Sequence, residues 1–378
     1  MILEKKLALV TVTIITFLEA LIHVGQIYSD SASYINIAFF FEGKISRAEL
    51  GNAYFRLLRP VVPFVASLLN HLIGIESSFA LFNVMLWLAS SLLLFQLTEL
   101  LTERTDAAFV ASSFFTASIP ILLYGGAVLT DMSGYFFVLF GTYLILKFDL
   151  GRATYVKVIL SALIIALGVL SREFAASVIV TLVIWVLFTK GSWRRVLLVT
   201  LIVAASAFLW STAVGISYTS WLSYNVLNAS QNAAFESQNA PVSLRIWTWI
   251  RTIRIAFQSE ILLLALIGGA TIIKRRAKLP AFASSLLGPA IVTLGLALFG
   301  AGTDFRYTFT MFPGILPIAS LGVIWAANKV SAFLVTKDST RQRLATILVI
   351  ICVTLLIIET NMATLRFIST PWNPYVAP

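Results

Sequence analysis

The sequence predicts an all-α integral membrane fold of about eleven transmembrane helices, with interfacial helices in the first external loop. Three observations predict it. The 378 residues are 59% hydrophobic and only 12% charged, with a mean hydropathy of +0.93, against about 25% charged in soluble domains. Apolar runs close to the ~20 residues a span requires recur along the chain. Lys and Arg gather in alternate loops, as the positive-inside rule requires.

The composition excludes several classes. No polar stretch exceeds roughly 40 residues, too short for an independent soluble core. Cys352 is the only cysteine, so no intrachain disulfide forms. With His23 and His71 the only histidines, a His-rich metal site is excluded. The formal charge of +10 follows from the basic inside loops and needs no nucleic-acid partner.

In order, the first span is Leu7 to Tyr28, with Lys5 and Lys6 holding its start in the cytoplasm. MILEKKLALV shows no small-residue cleavage site after its apolar run, so it reads as a retained span. An external loop over 29–76 follows. Its alternation of apolar and polar residues suits helices lying in the interface. Within it, Val61 to Gly74 is apolar but short, an interfacial or re-entrant helix. Were it to span, every later basic cluster would face outward. Further spans fall near 77–99, 107–123, 132–148, 155–170, 173–189, 195–216, 248–273, 281–299, 307–327 and 344–362. The loop 217–247, rich in Ser, Asn and Gln, is a candidate lid. Residues 1–378 then form a single polytopic membrane domain without internal repeat.

This topology gathers charge at the outward helix ends. Asp30 follows the first span. Asp131 sits in YGGAVLTDMSGYFF, Arg172-Glu173 in LSREFAAS, and Asp304 with Arg306-Tyr307 in GAGTDFRYTF. Arg47, Arg56 and Arg59 lie in the first loop. Any one of these could be a solvated helix end or a local ion pair. Together they suit group transfer from a lipid phosphate. An acid takes the proton from an acceptor hydroxyl, and an arginine fork holds a departing phosphate. Glu19 and His23, four apart, share a face of the first span, and the plainer reading is that they bond each other or a neighbouring helix. Glu260 marks either a helix break or a polar cavity.

The order of these segments resembles the GT-C superfamily of membrane glycosyltransferases, which includes dolichyl-phosphate-mannose mannosyltransferases and bacterial aminoarabinose transferases. The resemblance is carried by SDSASYINIA after the first span, RPVVPFVASLLNHLIG, YGGAVLTDMSGYFFVLFGTYLILK, SREFAAS and the late RYTFTMFPGILPIASLG. It implies a polyprenyl-phosphate-sugar donor and a glycan, lipid or protein acceptor. It implies that Asp30 activates the acceptor and that Asp131 is a second acid. Arg172, Arg306 and Arg59 become candidates for the lipid phosphate, supported by Glu173, Tyr307 and Asp304. The large soluble C-terminal domain of bigger relatives has no counterpart here. A divalent cation, Mg or Mn, is left open, since some members use one and others do not.

The resulting expectation is an inverting membrane glycosyltransferase of a prokaryotic plasma membrane, its active site facing the periplasm or exterior. A transporter or flippase of a lipid-linked sugar is the alternative. It predicts ionisable groups near mid-membrane and repeated halves. A non-catalytic scaffold subunit is a third reading, and it would not need the external acids.

Overall fold

The computed structural model describes residues 4–28, 30–216, 242–274, 278–298 and 308–369. Every element among them is helical. The α-helices are α1 Lys5–His23, α2 Ser31–Phe41, α3 Val61–Ile73, α4 Ile75–Thr102, α5 Thr105–Thr116, α6 Ile119–Tyr124, α7 Asp131–Phe148, α8 Tyr155–Ser171, α9 Ser177–Thr189, α10 Trp193–Ala213, α11 Val242–Ile273, α12 Leu279–Leu298, α13 Phe312–Leu334 and α14 Asp338–Ser369. Tighter 3-10 segments cover Arg47–Leu58 and Glu173–Ala176.

By length and composition, six helices among the described residues can cross a bilayer: Lys5–His23, Ile75–Thr102, Trp193–Ala213, Arg245–Ile273, Phe309–Leu334 and Asp338–Arg366. The remaining apolar helices are shorter. One expected span, 107–123, is divided into α5 and α6. The break is local chemistry. Pro120 sits in the first turn of α6, and Ser118 is extended at φ −74, ψ 141. Proline suits the first turn of a helix but cannot continue one, since it lacks the N–H, and the Ser118 hydroxyl donates to the Phe115 carbonyl at 2.8 Å. Of the two readings of Glu260, a helix break does occur two residues before it, at Gln258, whose φ of 57 interrupts α11.

The most enclosed of the six long helices is α13, with 89% of its span window buried, so it is the post around which the later helices pack. It packs closely on α11. A Cβ on Gly268 would overlap the Ile318 carbonyl, and one on Gly322 the Leu264 carbonyl. In a membrane such close approach is what drives helix association. Gly268→Ala is therefore expected to cost about 3 kcal/mol, read as a lower melting temperature in detergent. Gly269, with nothing within 4 Å of its Cβ position, is the silent control.

Glu19 and His23 are buried, as their shared face suggests, and bridged from α14. The Asn361 amide donates to Glu19 at 3.0 Å, and its oxygen lies 3.0 Å from His23 Nε2. An amide oxygen only accepts, so His23 carries its proton on Nε2. His71 is exposed on α3.

Several tethers place the chain after α1 against the chain before α7. The amide of Gly25 donates to the Gly126 carbonyl at 3.1 Å, and that of Val128 to the Gln26 carbonyl at 3.1 Å. The Tyr28 hydroxyl donates to the Leu123 carbonyl at 2.6 Å. Asn83 on α4 holds the carbonyls of Ala127 and Leu129 at 2.6 and 3.0 Å. Asp30 and Asp131 thereby come to one end of the bundle. Gly134 brings the Arg172 turn in as well. A Cβ there would lie 2.7 Å from Arg172 Cβ and 2.6 Å from the Phe174 ring. Over this end lie α2, the Arg47–Leu58 segment and α3. At ~1.5 Å per residue, the 11 residues of α2 reach about 16 Å, half a bilayer core.

Candidate functional site

The segment between α1 and α3 supplies Asp30, Tyr34, Arg56 and Arg59. The 3-10 segment that presents both arginines begins in a reciprocal cap between Ser46 and Glu49. Its far side is pinned to α10: Trp210 Nε1 donates to the Leu57 carbonyl at 2.8 Å, and Tyr54 to the Gly215 carbonyl at 2.9 Å. Thr130 and Asp131 come from the start of α7, and Arg172 and Glu173 from the turn between α8 and α9.

These residues form one network around Tyr34, which is fully buried. Its hydroxyl accepts from Arg59 Nη1 at 2.8 Å and from Arg172 Nη1 at 2.9 Å. Thr130 Oγ1 is 3.2 Å away. The Arg56 guanidinium lies 5.2 Å from the centre of the Tyr34 ring. Burial alone would push the phenol up. Arg59, Arg172 and Arg56 outweigh it against the opposing pull of Asp131, and the hydroxyl sits below its ordinary value.

Three ion pairs radiate from this centre. Arg172 Nη2 is 3.1 Å from Asp131, with side chains 3% and 0% exposed. Arg59 holds Glu173 by two parallel bonds of 2.8 and 2.6 Å. Arg56 donates to Asp30 at 2.6 Å, both side chains about a quarter exposed. The pair at the back is thus sealed, whereas Asp30, Arg56 and Glu173 meet solvent. Among the described residues, that is the side open to a reacting group.

Of the residues singled out from sequence, Asp30, Asp131, Arg59, Arg172 and Glu173 come together. Asp304, Arg306 and Tyr307 lie outside the described residues. The chain resuming at Thr308 does reach the site region: Phe309 stacks on Tyr135, one helical turn after Asp131, with ring centres 3.6 Å apart. Arg47 lies apart from the network, over the Tyr54 ring and bonded to the Gly215 carbonyl. Sequence reasoning missed Tyr34 and Thr130. The available signal was spacing, since Tyr34 follows Asp30 by four on an acid-led helix.

Among the described residues no group of three or more His, Cys, Asp or Glu side chains converges. Asp30, Asp131 and Glu173 each face a guanidinium.

No family model matches the chain, and no curated protein matches it. Solved structures do. One is the archaeal oligosaccharyltransferase AglB from Archaeoglobus fulgidus in complex with an inhibitory peptide and a dolichol-phosphate. It aligns with TM-score 0.60 at 10% identity, over 95% of this chain and 56% of that one. The apo form of the Archaeoglobus fulgidus oligosaccharyltransferase gives 0.59 at 11% identity, over 98% and 59% of the two chains. Its complex with Zn and sulfate gives 0.59 at 12%, over 94% and 53%. The present chain therefore spans a little over half the length of these structures. The likeness is one of fold.

Proposed function

We propose that this GT-C-fold chain is a membrane glycosyltransferase, moving a hexosyl or pentosyl group from a polyprenyl-phosphate carrier to a hydroxyl acceptor. The observation that carries the reading is the convergence of Asp30, Asp131, Arg59, Arg172 and Glu173, from sequence-distant segments, at one end of an apolar bundle. The fold shared with a dolichol-phosphate-bound oligosaccharyltransferase supports it.

Asp30 takes the proton of the acceptor hydroxyl. The acceptor oxygen bonds to the anomeric carbon as the carbon–oxygen bond to phosphate breaks. The electron pair leaves with the phosphate, and one displacement gives inversion. Arg59 and Arg306 meet the charge that develops on the leaving phosphate. Arg172, sealed behind Tyr34, positions Asp131 rather than touching the donor. Glu173, Tyr307 and Asp304 support the phosphate site.

In this reading the chain crosses the plasma membrane about eleven times. Its N-terminus is cytoplasmic. The loop 29–76 lies in the outer interface with the reacting end; of the candidate lid 217–247, residues 217–241 lie outside the described residues and 242–247 begin α11. The acceptor is a glycan, lipid or protein hydroxyl.

The test is sugar transfer by the purified chain in nanodiscs, with labelled polyprenyl-phosphate sugars and a membrane extract as acceptor source. Wild type should move label to a new product. Asp30→Asn should lower transfer about 10²–10⁴-fold while melting normally. Unchanged transfer by Asp30→Asn removes it as base and turns attention to Asp131. Donor binding without transfer or cleavage, with acceptor supplied, favours the flippase. Because each carboxylate faces a guanidinium, chelation of divalent cations should leave the rate within about twofold. A rate abolished by chelator and restored by Mg or Mn would overturn that expectation.

A further inference from the structure

The end of the bundle away from Asp131 carries charge of a different kind. There residues 149–154 join α7 to α8, and residues 190–192 join α9 to α10. The 18 residues of α7, about 27 Å long, separate this corner from Asp131. The two turns are tied together. The Ser192 amide donates to the Gly151 carbonyl at 2.8 Å, and Arg195 Nη1 donates to the same oxygen at 2.6 Å. A Cβ on Gly191 would lie 2.9 Å from Gly151 Cα, so the turns touch backbone to backbone. The Arg195 guanidinium lies 5.9 Å from the centre of the Tyr155 ring, which sets the starts of α8 and α10 side by side.

Residues 147–157 and 190–195 carry six cations, Lys147, Arg152, Lys157, Lys190, Arg194 and Arg195, against one carboxylate, Asp149. That carboxylate is already engaged. It accepts from Trp185 Nε1 at 2.8 Å and pairs with Arg152 at 3.9 Å. Lys157 and Arg194 are exposed, and among the described residues neither is in an ion pair. They stand in the first turns of α8 and α10, where the helix dipole repels a cation, and neither turn holds an acid to offset it. Directly beyond them the surface turns apolar. Val156, Leu160 and Leu163 run along an exposed face of α8, and Trp193, Leu197 and Leu201 along one of α10. Spacings of three and four keep each ladder on one side of its helix. Trp193 heads its ladder beside the cations, as tryptophan does at a membrane interface.

We propose that this corner is a binding site for an anionic phospholipid of the adjacent leaflet. Lys157 and Arg194 meet the lipid phosphate, and the acyl chains lie along the two ladders. Both halves select the occupant. Cations without free acids favour a headgroup of net negative charge, because the ammonium of a zwitterion would find the one carboxylate already taken. Apolar ladders that begin at the same turns favour a lipid over a water-soluble anion. The bound lipid would tie α8 to α10 at the end where Arg195 and Gly151 already join them, independently of the transfer chemistry at the other end.

The test uses the full chain in a neutral detergent, offered equal amounts of phosphatidylglycerol, phosphatidylethanolamine and phosphatidylcholine with identical chains. Native mass spectrometry counts the retained lipid. Phosphatidylglycerol should be retained about tenfold better than the two zwitterions. Lys157→Gln combined with Arg194→Gln should abolish that preference, with an unchanged melting temperature without lipid because both side chains are exposed. Lys329→Gln combined with Lys337→Gln removes the same charge near the turn between α13 and α14, and should leave the preference intact. Excess glycerol phosphate should not displace the lipid. Equal retention of the three lipids, or a preference that survives Lys157→Gln with Arg194→Gln, would overturn the assignment. So would a preference lost as fully in the Lys329 and Lys337 control, which would mean diffuse attraction, or displacement by glycerol phosphate, which would mean a bare anion site.

Discussion

Arg172→Met is expected to destabilise the protein by about 3–5 kcal/mol, the cost of leaving one buried charge without its partner. The charge left behind is Asp131, which has no exposed surface. Its carboxylate could be satisfied neither by water nor by Thr130, which already faces Tyr34. Arg172→Met also strips the Tyr34 hydroxyl of a donor at 2.9 Å. Adding Asp131→Asn should restore most of the stability, since a buried pair replaced as a pair is close to neutral. The double variant should remain inactive if Asp131 takes part in the chemistry. Chemical denaturation in detergent, paired with the transfer assay, separates these outcomes. A double variant as unstable as the single one would mean that Arg172 acts mainly through Tyr34.

Tyr34→Phe should lower stability by about 2 kcal/mol and transfer about tenfold, because the lost bonds come from charged donors. The pH dependence gives a sharper signature. The folded phenol is held below its ordinary value by Arg59, Arg172 and Arg56 acting against burial. In the unfolded chain it ionises near 10. Between those two values the unfolded state binds the extra proton, so stability rises with pH. The wild type should gain melting temperature relative to Tyr34→Phe as pH climbs toward about 10, and lose that advantage as pH falls through the folded value. Parallel curves for the two proteins would show that the hydroxyl keeps its proton throughout.

The sequence made the helices legible because each is a self-contained apolar run. Val61 to Gly74 was recognisable as too short to span, and it forms the 13-residue α3. The break after α5 was not legible from hydropathy, which averages over Ser118 and Pro120. The acids and arginines were legible as charges at helix ends, where hydrophobic periodicity gives them no reason to be. Their pairing was not. Arg59 and Glu173 are 114 residues apart, and Tyr34 and Arg172 are 138 apart. Such contacts depend on how the helices stack, and no local pattern encodes that. Tyr34 was missed for a further reason: an aromatic in an amphipathic helix reads as an interface anchor, and only the three guanidiniums around it reveal another role.

The three ion pairs leave the described part of the site formally neutral, three carboxylates against three guanidiniums. An anionic lipid arriving there meets no uncommitted cation among these six groups. In the proposed reading docking is then a substitution: a phosphate oxygen takes a carboxylate's place on a guanidinium, entering past Arg56 at the open side on its way to Arg59. In that reading the event that brings the sugar also loosens the Arg56 contact on Asp30, the proposed base. Affinity built by swapping one charged contact for another should depend little on ionic strength. The site would then stay closed to water-soluble hydroxyls between turnovers without needing a separate gate.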